Sequence, residues 1–188
     1  MSDARQTRDP ASEAVIAAIA DRARNFYETR QMLCTEAVVA ALNQGLGGGL
    51  TEAQATAVSA PFCIAMGESG CVCGALSGAV MATGLLLGKD GAFLHRQSMR
   101  DSARQLHDRF KFANGATCCR VLSRKVKHNK KEHFQQCAGL TAQAAEMAAR
   151  LVLEKRPELV KQADNAFINR RQSSIGGVLS RLVHLFSR

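Results

Sequence analysis

The chain has 188 residues, of which 46% are hydrophobic, a length and composition that allow one domain to bury an apolar core without disulfide staples. Its formal net charge is +9, and its aromatic content of 5% includes no Trp and one Tyr, which excludes a core built on large aromatic rings. Residues 1–14 contain no apolar run of the kind found in secretory signal peptides, so we expect a cytoplasmic protein with reduced thiols.

Apolar side chains recur at helical spacing along the first part of the chain. Asp9-Pro10 predicts the start of a helix, with Asp as its cap and Pro at its first position. A second helix carries Cys34, Val38 and Leu42 on one stripe. Thr51-x-x-Gln54 is a capping box, which predicts a further short helix.

Residues 69–88 contain no charged side chain, and a stretch of this length could span a bilayer. Five of these residues are Gly, however, so we predict a buried central helix that starts at Gly74. Gly70, Gly74 and Gly78 recur every four residues, a spacing that lets another helix approach closely and that also occurs in membrane dimers.

The second half of the chain continues the helical pattern. Asp90 is predicted to cap a helix that ends at the Asn114-Gly115 turn signal. Asn129-x-x-Glu132 predicts the start of the last long helix, which Pro157 closes. The whole pattern predicts an all-α bundle of about five helices over residues 1–156.

Residues 157–188 form a separate, basic tail in this prediction. Its apolar residues line one side of an amphipathic helix, which extends the bundle at its C-terminus. Such a helix can pack on its own core, close a homodimer, or lie on a membrane surface. These residues are Ile175, Val178, Leu179, Leu182, Val183 and Phe186.

Seven cysteines are unusual in a chain that is long enough to fold without stabilising disulfides. They indicate ligation of a soft metal or redox chemistry. Cys34 and Cys137 lie on apolar helical stripes, and Cys73 precedes the buried helix, whose N-terminus favours a thiolate. The alternative is that these thiols are merely small hydrophobic core residues. The other four cysteines are Cys63, Cys71, Cys118 and Cys119.

The sequence Cys-Gly-Ala-Leu-Ser-Gly at residues 73–78 resembles the core signature of the C_GCAxxG_C_C family of redox-active proteins. That family has four characteristic cysteines, and the resemblance covers residues 12–155. They match Cys34 before Thr-Glu-Ala-Val, Cys73 in the core, Cys119 before Arg-Val-Leu, and Cys137 in an Ala-rich helix. Cys63, Cys71 and Cys118 are additional to the family pattern, and Leu33 stands where the family has Asn.

The resemblance implies association with oxidoreductase systems. A related domain lies beside haems in split-Soret-type cytochromes and carries an iron–sulfur centre, but this chain has no CxxCH motif, so no haem is implied. Our leading hypothesis is electron transfer through an iron–sulfur cluster held by Cys34, Cys73, Cys119 and Cys137.

Two further hypotheses remain open. One is a metal-free thiol–disulfide or sulfur-handling protein that uses the same four cysteines. The other is a structural zinc held by these cysteines, or a simple interaction domain with a basic docking face. Additional candidates for the site are Cys63, Cys71, Cys118 and His133, since His133 lies one helical turn before Cys137. Neither paired carboxylates nor a Ser/His/Asp arrangement is evident, so the sequence leaves open whether the protein is an enzyme.

The positive charge is concentrated in residues 89–131, which hold twelve basic and three acidic side chains. Arg96, Arg100 and Arg104 recur every four residues, and Lys125 and Lys127 belong to a second cluster. This pattern predicts either a solvated face or a docking surface for an acidic redox partner or an oxidoreductase complex. Aromatic residues for base stacking are scarce and no helix-turn-helix signature is evident, which argues against nucleic acid.

Overall fold

The computed structural model describes residues 9–173, and this part of the chain contains helices and turns without any strand. Five helices are long, as the all-α prediction requires. They are α1 (Pro10–Glu28), α2 (Cys34–Gly45), α5 (Gly74–Gly88), α6 (Arg96–Asn114) and α8 (Lys130–Lys155). The short ones are α3 (Glu52–Ser59), α4 (Cys63–Gly67), α7 (Cys119–Leu122), α9 (Leu159–Gln162) and α10 (Asn165–Ile168), with a 3-10 turn at Ala60–Phe62.

Local capping signals explain where several helices begin. The Asp9 carboxylate accepts hydrogen bonds from the first N–H groups of α1. Thr51 and Gln54 form the predicted capping box of α3, and Asn129 caps α8. These residues satisfy N–H groups that have no partner inside the helix, which confirms the predicted starts.

The prediction that Asp90 caps the helix after α5 is wrong. Residues 89–95 form turns, with Gly91 at a φ of +134°, and α6 begins only at Arg96. The Asp90 carboxylate instead forms an ion pair with Arg156 at the end of α8, with 3.0 Å between Oδ2 and Nη2. A partner from a distant part of the chain therefore replaces the local role of this side chain.

Helix α5 lies at the centre of the bundle, where it packs against α2, α6 and α8. Leu76, Ala79 and Leu86 are almost completely buried, which confirms the prediction of a central buried helix over the uncharged stretch. Among residues 9–173, no helix combines the length and the apolar content that crossing a membrane requires.

Two glycines allow α5 and α2 to approach closely. A Cβ atom on Gly78 would lie 2.8 Å from the carbonyl oxygen of Thr35 and 3.0 Å from Cβ of Val38. A Cβ atom on Gly74 would lie 2.5 Å from Sγ of Cys34. The predicted role of this glycine spacing in helix packing is therefore confirmed for Gly74 and Gly78.

The first part of the predicted tail packs on the body of the protein. Leu159 and Ile168 are buried, and Ile168 lies against Gly45 of α2. The buried guanidinium of Arg22 lies 3.9 Å from the ring centroid of Phe26 and donates a hydrogen bond to the carbonyl oxygen of Arg170. The predicted amphipathic helix of the tail lies outside the described residues.

The helix contact leads to a paired stability prediction. Gly78→Ala should lower the free energy of unfolding by about 1–3 kcal/mol, because the added methyl group has no room against α2. Gly84→Ala is the matched control in the same helix. Its Cβ would meet nothing within 4 Å, so it should raise the free energy of unfolding by up to about 1 kcal/mol. Urea unfolding measures both, and a Gly78→Ala variant as stable as the parent would contradict the packing.

Candidate functional site

Each of the four cysteines that match the family pattern belongs to, or caps, a different helix. Cys34 is the first residue of α2, Cys73 is the N-cap of α5, and Cys119 is the first residue of α7. Cys137 lies within the first half of α8. Together with Cys63 at the start of α4, we call these five free thiols the thiol cluster.

Cys119 lies within electrostatic reach of the three other thiols that match the family pattern. The pKa of Cys73 is raised by its hydrogen bond to Cys119, by burial and by the charge of a Cys119 thiolate. The pKa of Cys34 is raised by its hydrogen bond to Cys63, by burial and, more weakly, by the charge of Cys119. Burial, and then the charge of Cys119, raises the pKa of Cys137. Three thiols that are far apart in the sequence therefore lie within electrostatic range of Cys119.

Within the cluster the sulfurs form two hydrogen-bonded pairs. Cys73 donates to Cys119, which lowers the pKa of Cys119 to about 7. Cys34 donates to Cys63, which lowers the pKa of Cys63 to about 6. In each pair Cys73 or Cys34 holds its proton more firmly, and the partner sulfur ionises more readily than an ordinary thiol. When it is protonated, Cys63 donates to the carbonyl oxygen of Ser59 at 3.9 Å.

The start of α5 supplies backbone donors to one pair. The N–H of Gly74 donates to Cys119, and the N–H of Leu76 donates to Cys73. The first N–H groups of a helix have no partner within it and attract negative charge. The position of Gly74 thus serves two purposes, because it permits the helix contact and it aims an N–H group at sulfur.

A left-handed turn supplies donors to the other pair. Ile64, Ala65 and Met66 in α4 have φ values of +52°, +56° and +55°, a conformation that costs L-residues roughly 1–2 kcal/mol each. The N–H of Ile64 donates to Cys34, while the N–H of Glu36 in α2 donates to Cys63. Strained backbone of this kind persists only where the surrounding structure stabilises it. In this turn the strained conformation directs a backbone N–H group at a thiol of the cluster.

Tyr27 links the thiol cluster to a surface pocket. Burial, and then the charge of Cys137, raises the pKa of this hydroxyl, which donates a hydrogen bond to Cys137. The Tyr27 ring stacks on Phe134, with 5.2 Å between the ring centroids. A pocket of about 460 Å³ lies beside this pair, and its wall includes Arg30, Lys130 and His133. The predicted additional ligand His133 is thus placed in the wall of this pocket.

The remaining candidates lie outside the thiol cluster. The expectation of reduced thiols is wrong for two cysteines, since Cys71 and Cys118 form a disulfide with their Cα atoms 4.6 Å apart. All five predicted docking residues are exposed. Lys125 and Lys127 follow α7, whereas the arginine stripe begins at the opposite end of α6 from Cys118. The five docking residues are Arg96, Arg100, Arg104, Lys125 and Lys127.

The donor set fits soft-metal ligation by its chemistry, since buried thiolates that accept N–H hydrogen bonds are typical ligands of iron–sulfur clusters. As placed within residues 9–173, no three Cys, His, Asp or Glu side chains form a group that could hold a metal ion. The sulfurs stand in pairs instead.

The paired thiols lead to a pH prediction for the reduced, metal-free protein. Thiolate ultraviolet absorbance should show an ionisation with a pKa of about 7 that belongs to Cys119. Cys73→Ala removes the hydrogen bond that lowers this pKa, so the ionisation should move upward towards the ordinary thiol pKa of about 8.5. Cys63→Ala is the matched control and should remove the ionisation near pH 6 while leaving that of Cys119 in place. An unchanged titration in Cys73→Ala would show that the two sulfurs are not paired.

Comparison with known proteins agrees with the geometry of the cysteines. Residues 32–151 match the profile of the family described as "Putative redox-active protein (C_GCAxxG_C_C)". No curated protein and no solved structure matches the chain. The matched region contains Cys34, Cys73, Cys119 and Cys137 and covers more than half of the chain. The chain therefore belongs to the C_GCAxxG_C_C family of redox-active proteins.

Proposed function

We propose that the protein transfers electrons through an iron–sulfur cluster held by Cys34, Cys73, Cys119 and Cys137. The observation that supports this most strongly is the position of Cys119, which interacts electrostatically with each of the other three thiols. Thiol–disulfide chemistry needs only two sulfurs, whereas iron–sulfur clusters commonly take four thiolates. The influence of Cys119 on three thiols from three other helices is thus better explained by a cluster than by a single dithiol.

A bound cluster would supply one-electron redox chemistry, and the chain would control its environment. Burial of Cys73, which is 3% exposed, limits water near the sulfurs. The N–H groups of Gly74 and Leu76 stabilise negative charge on sulfur, which favours the reduced state and so raises the reduction potential. Tyr27 adds a hydroxyl donor to Cys137 from the pocket side.

A second candidate function is metal-free dithiol chemistry, favoured by the pairing of Cys73 with Cys119. In this function the two thiols lose two electrons and two protons and form a Cys73–Cys119 disulfide, while an external disulfide is reduced to a dithiol. The pKa of about 7 makes Cys119 the nucleophile, and Cys73 is the thiol that closes the bond.

Anaerobic purification with iron and sulfide analysis separates the two functions. The cluster proposal predicts a brown protein whose visible absorbance falls on reduction. Replacement by Ser of any of Cys34, Cys73, Cys119 and Cys137 should remove most of the iron and sulfide. The matched control is the double variant Cys71→Ser/Cys118→Ser, which should keep both because these sulfurs lie outside the thiol cluster.

A colourless protein without iron and sulfide would overturn the cluster proposal. Thiol counting on that protein would then test the dithiol function, which predicts the reversible loss of two thiols at Cys73 and Cys119. Retention of iron and sulfide in all four single variants would show that the cluster is held elsewhere.

A further inference from the structure

Two of the three cysteines that are additional to the family pattern are bonded to each other. Cys71 and Cys118 are separated by 47 positions in the sequence, and the fold brings their Cα atoms to 4.6 Å. Neither sulfur belongs to the thiol cluster, so the proposed function leaves this pair without a role.

The two chain segments that carry this pair are held together by other contacts. The N–H of Cys73 donates to the carbonyl oxygen of Thr117 at 2.7 Å. The N–H of Arg120 donates to the carbonyl oxygen of Gly70 at 3.1 Å. The Arg120 guanidinium also donates to the carbonyl oxygen of Ser69 at 2.7 Å. Because these bonds lie on both sides of the disulfide and do not involve its sulfur atoms, we expect the segments to stay paired when the S–S bond is absent.

The disulfide is more exposed than the neighbouring pair of the thiol cluster. Cys71 is exposed and Cys73 is buried, while Cys118 and Cys119 are both half-buried. The same two segments therefore carry two sulfur pairs, Cys71 with Cys118 outside and Cys73 with Cys119 inside. Exposed disulfides are the ones that exchange with external thiols, since exchange requires access to a sulfur atom.

We propose that Cys71 and Cys118 are a second redox site, which exchanges two electrons with a dithiol on another protein. A thiolate of that dithiol attacks Sγ of Cys71, the more exposed residue of the pair, and Cys118 leaves as a thiolate. The second thiol of the partner then attacks the mixed disulfide and releases Cys71. The partner is oxidised to a disulfide, and its two protons are taken up by Cys71 and Cys118.

This site does not depend on the nature of the inner centre. The outer pair needs no metal, and its exchange begins and ends on sulfurs that are not proposed as ligands. Its reaction can therefore be measured whether or not iron is bound.

Equilibration of the full chain in mixtures of reduced and oxidised dithiothreitol tests the proposal. Thiols are alkylated in each mixture and assigned by site-resolved mass spectrometry, while circular dichroism reports the fold. We expect Cys71 and Cys118 to gain and lose label together and reversibly, with unchanged helix content. Labelling that appears only when the protein unfolds, or that never changes across the mixtures, would overturn the proposal.

Variants distinguish an exchange site from a structural staple. In Cys118→Ser, the exposed Cys71 should form a mixed disulfide with oxidised glutathione, and faster than Cys118 does in Cys71→Ser. The double variant Cys71→Ser/Cys118→Ser should remain folded, lose the two-thiol transition and keep its iron content. A double variant that unfolds would show that the bond is structural. If the parent protein contains no iron, the cluster proposal fails, but the exchange of Cys71 and Cys118 can still be observed. The two proposals therefore fail separately.

Discussion

The site depends on the close contact between the first turns of α5 and α2. Gly74 and Gly78 leave no room for a side chain on this face, so the two helix starts meet with Cys73 beside Cys34. Any residue with a Cβ atom at Gly74 would occupy the space of the Cys34 sulfur. The same contact therefore contributes to the core of the bundle and fixes the distance between two thiols.

Helix starts are the recurring device in this site. Three cysteines of the thiol cluster are first residues of α2, α4 and α7, and a fourth caps α5. Four of the sulfurs accept a hydrogen bond from a backbone N–H group. Cys34 is itself the first residue of α2, and its N–H donor is that of Ile64 in the left-handed turn of α4. The backbone thus stabilises negative sulfur, which is useful both to a bound cluster and to a reactive thiolate.

Features with a local cause could be predicted from the sequence. Asp9, Thr51 and Asn129 cap the expected helices because their side chains act within three residues. The uncharged stretch at residues 69–88, with its five Gly, identified the buried helix. Asp90 was misassigned because its partner, Arg156, comes from the far end of α8.

The parts of the site that escaped prediction depend on long-range contacts. Tyr27 reaches Cys137 only because α1 packs along α8, and the chain has no local pattern that joins them. The pairing of Cys63 with Cys34 depends on the left-handed turn of α4, whose residues include no Asn and only one Gly. The Cys71–Cys118 bond similarly requires the contact between residues 69–73 and 117–120.

The central claim is that thiols from distant parts of the chain meet at one place, and thiol cross-linking tests it most directly. Dibromobimane bridges sulfur atoms that lie close together, and it is applied to the reduced, metal-free Cys71→Ser/Cys118→Ser variant so that the outer pair does not contribute. The account predicts bridged peptides that join Cys73 with Cys119 and Cys34 with Cys63, and further bridges from Cys119 to Cys34 or Cys137. Recovery of all five thiols as singly modified residues in the folded protein would contradict it.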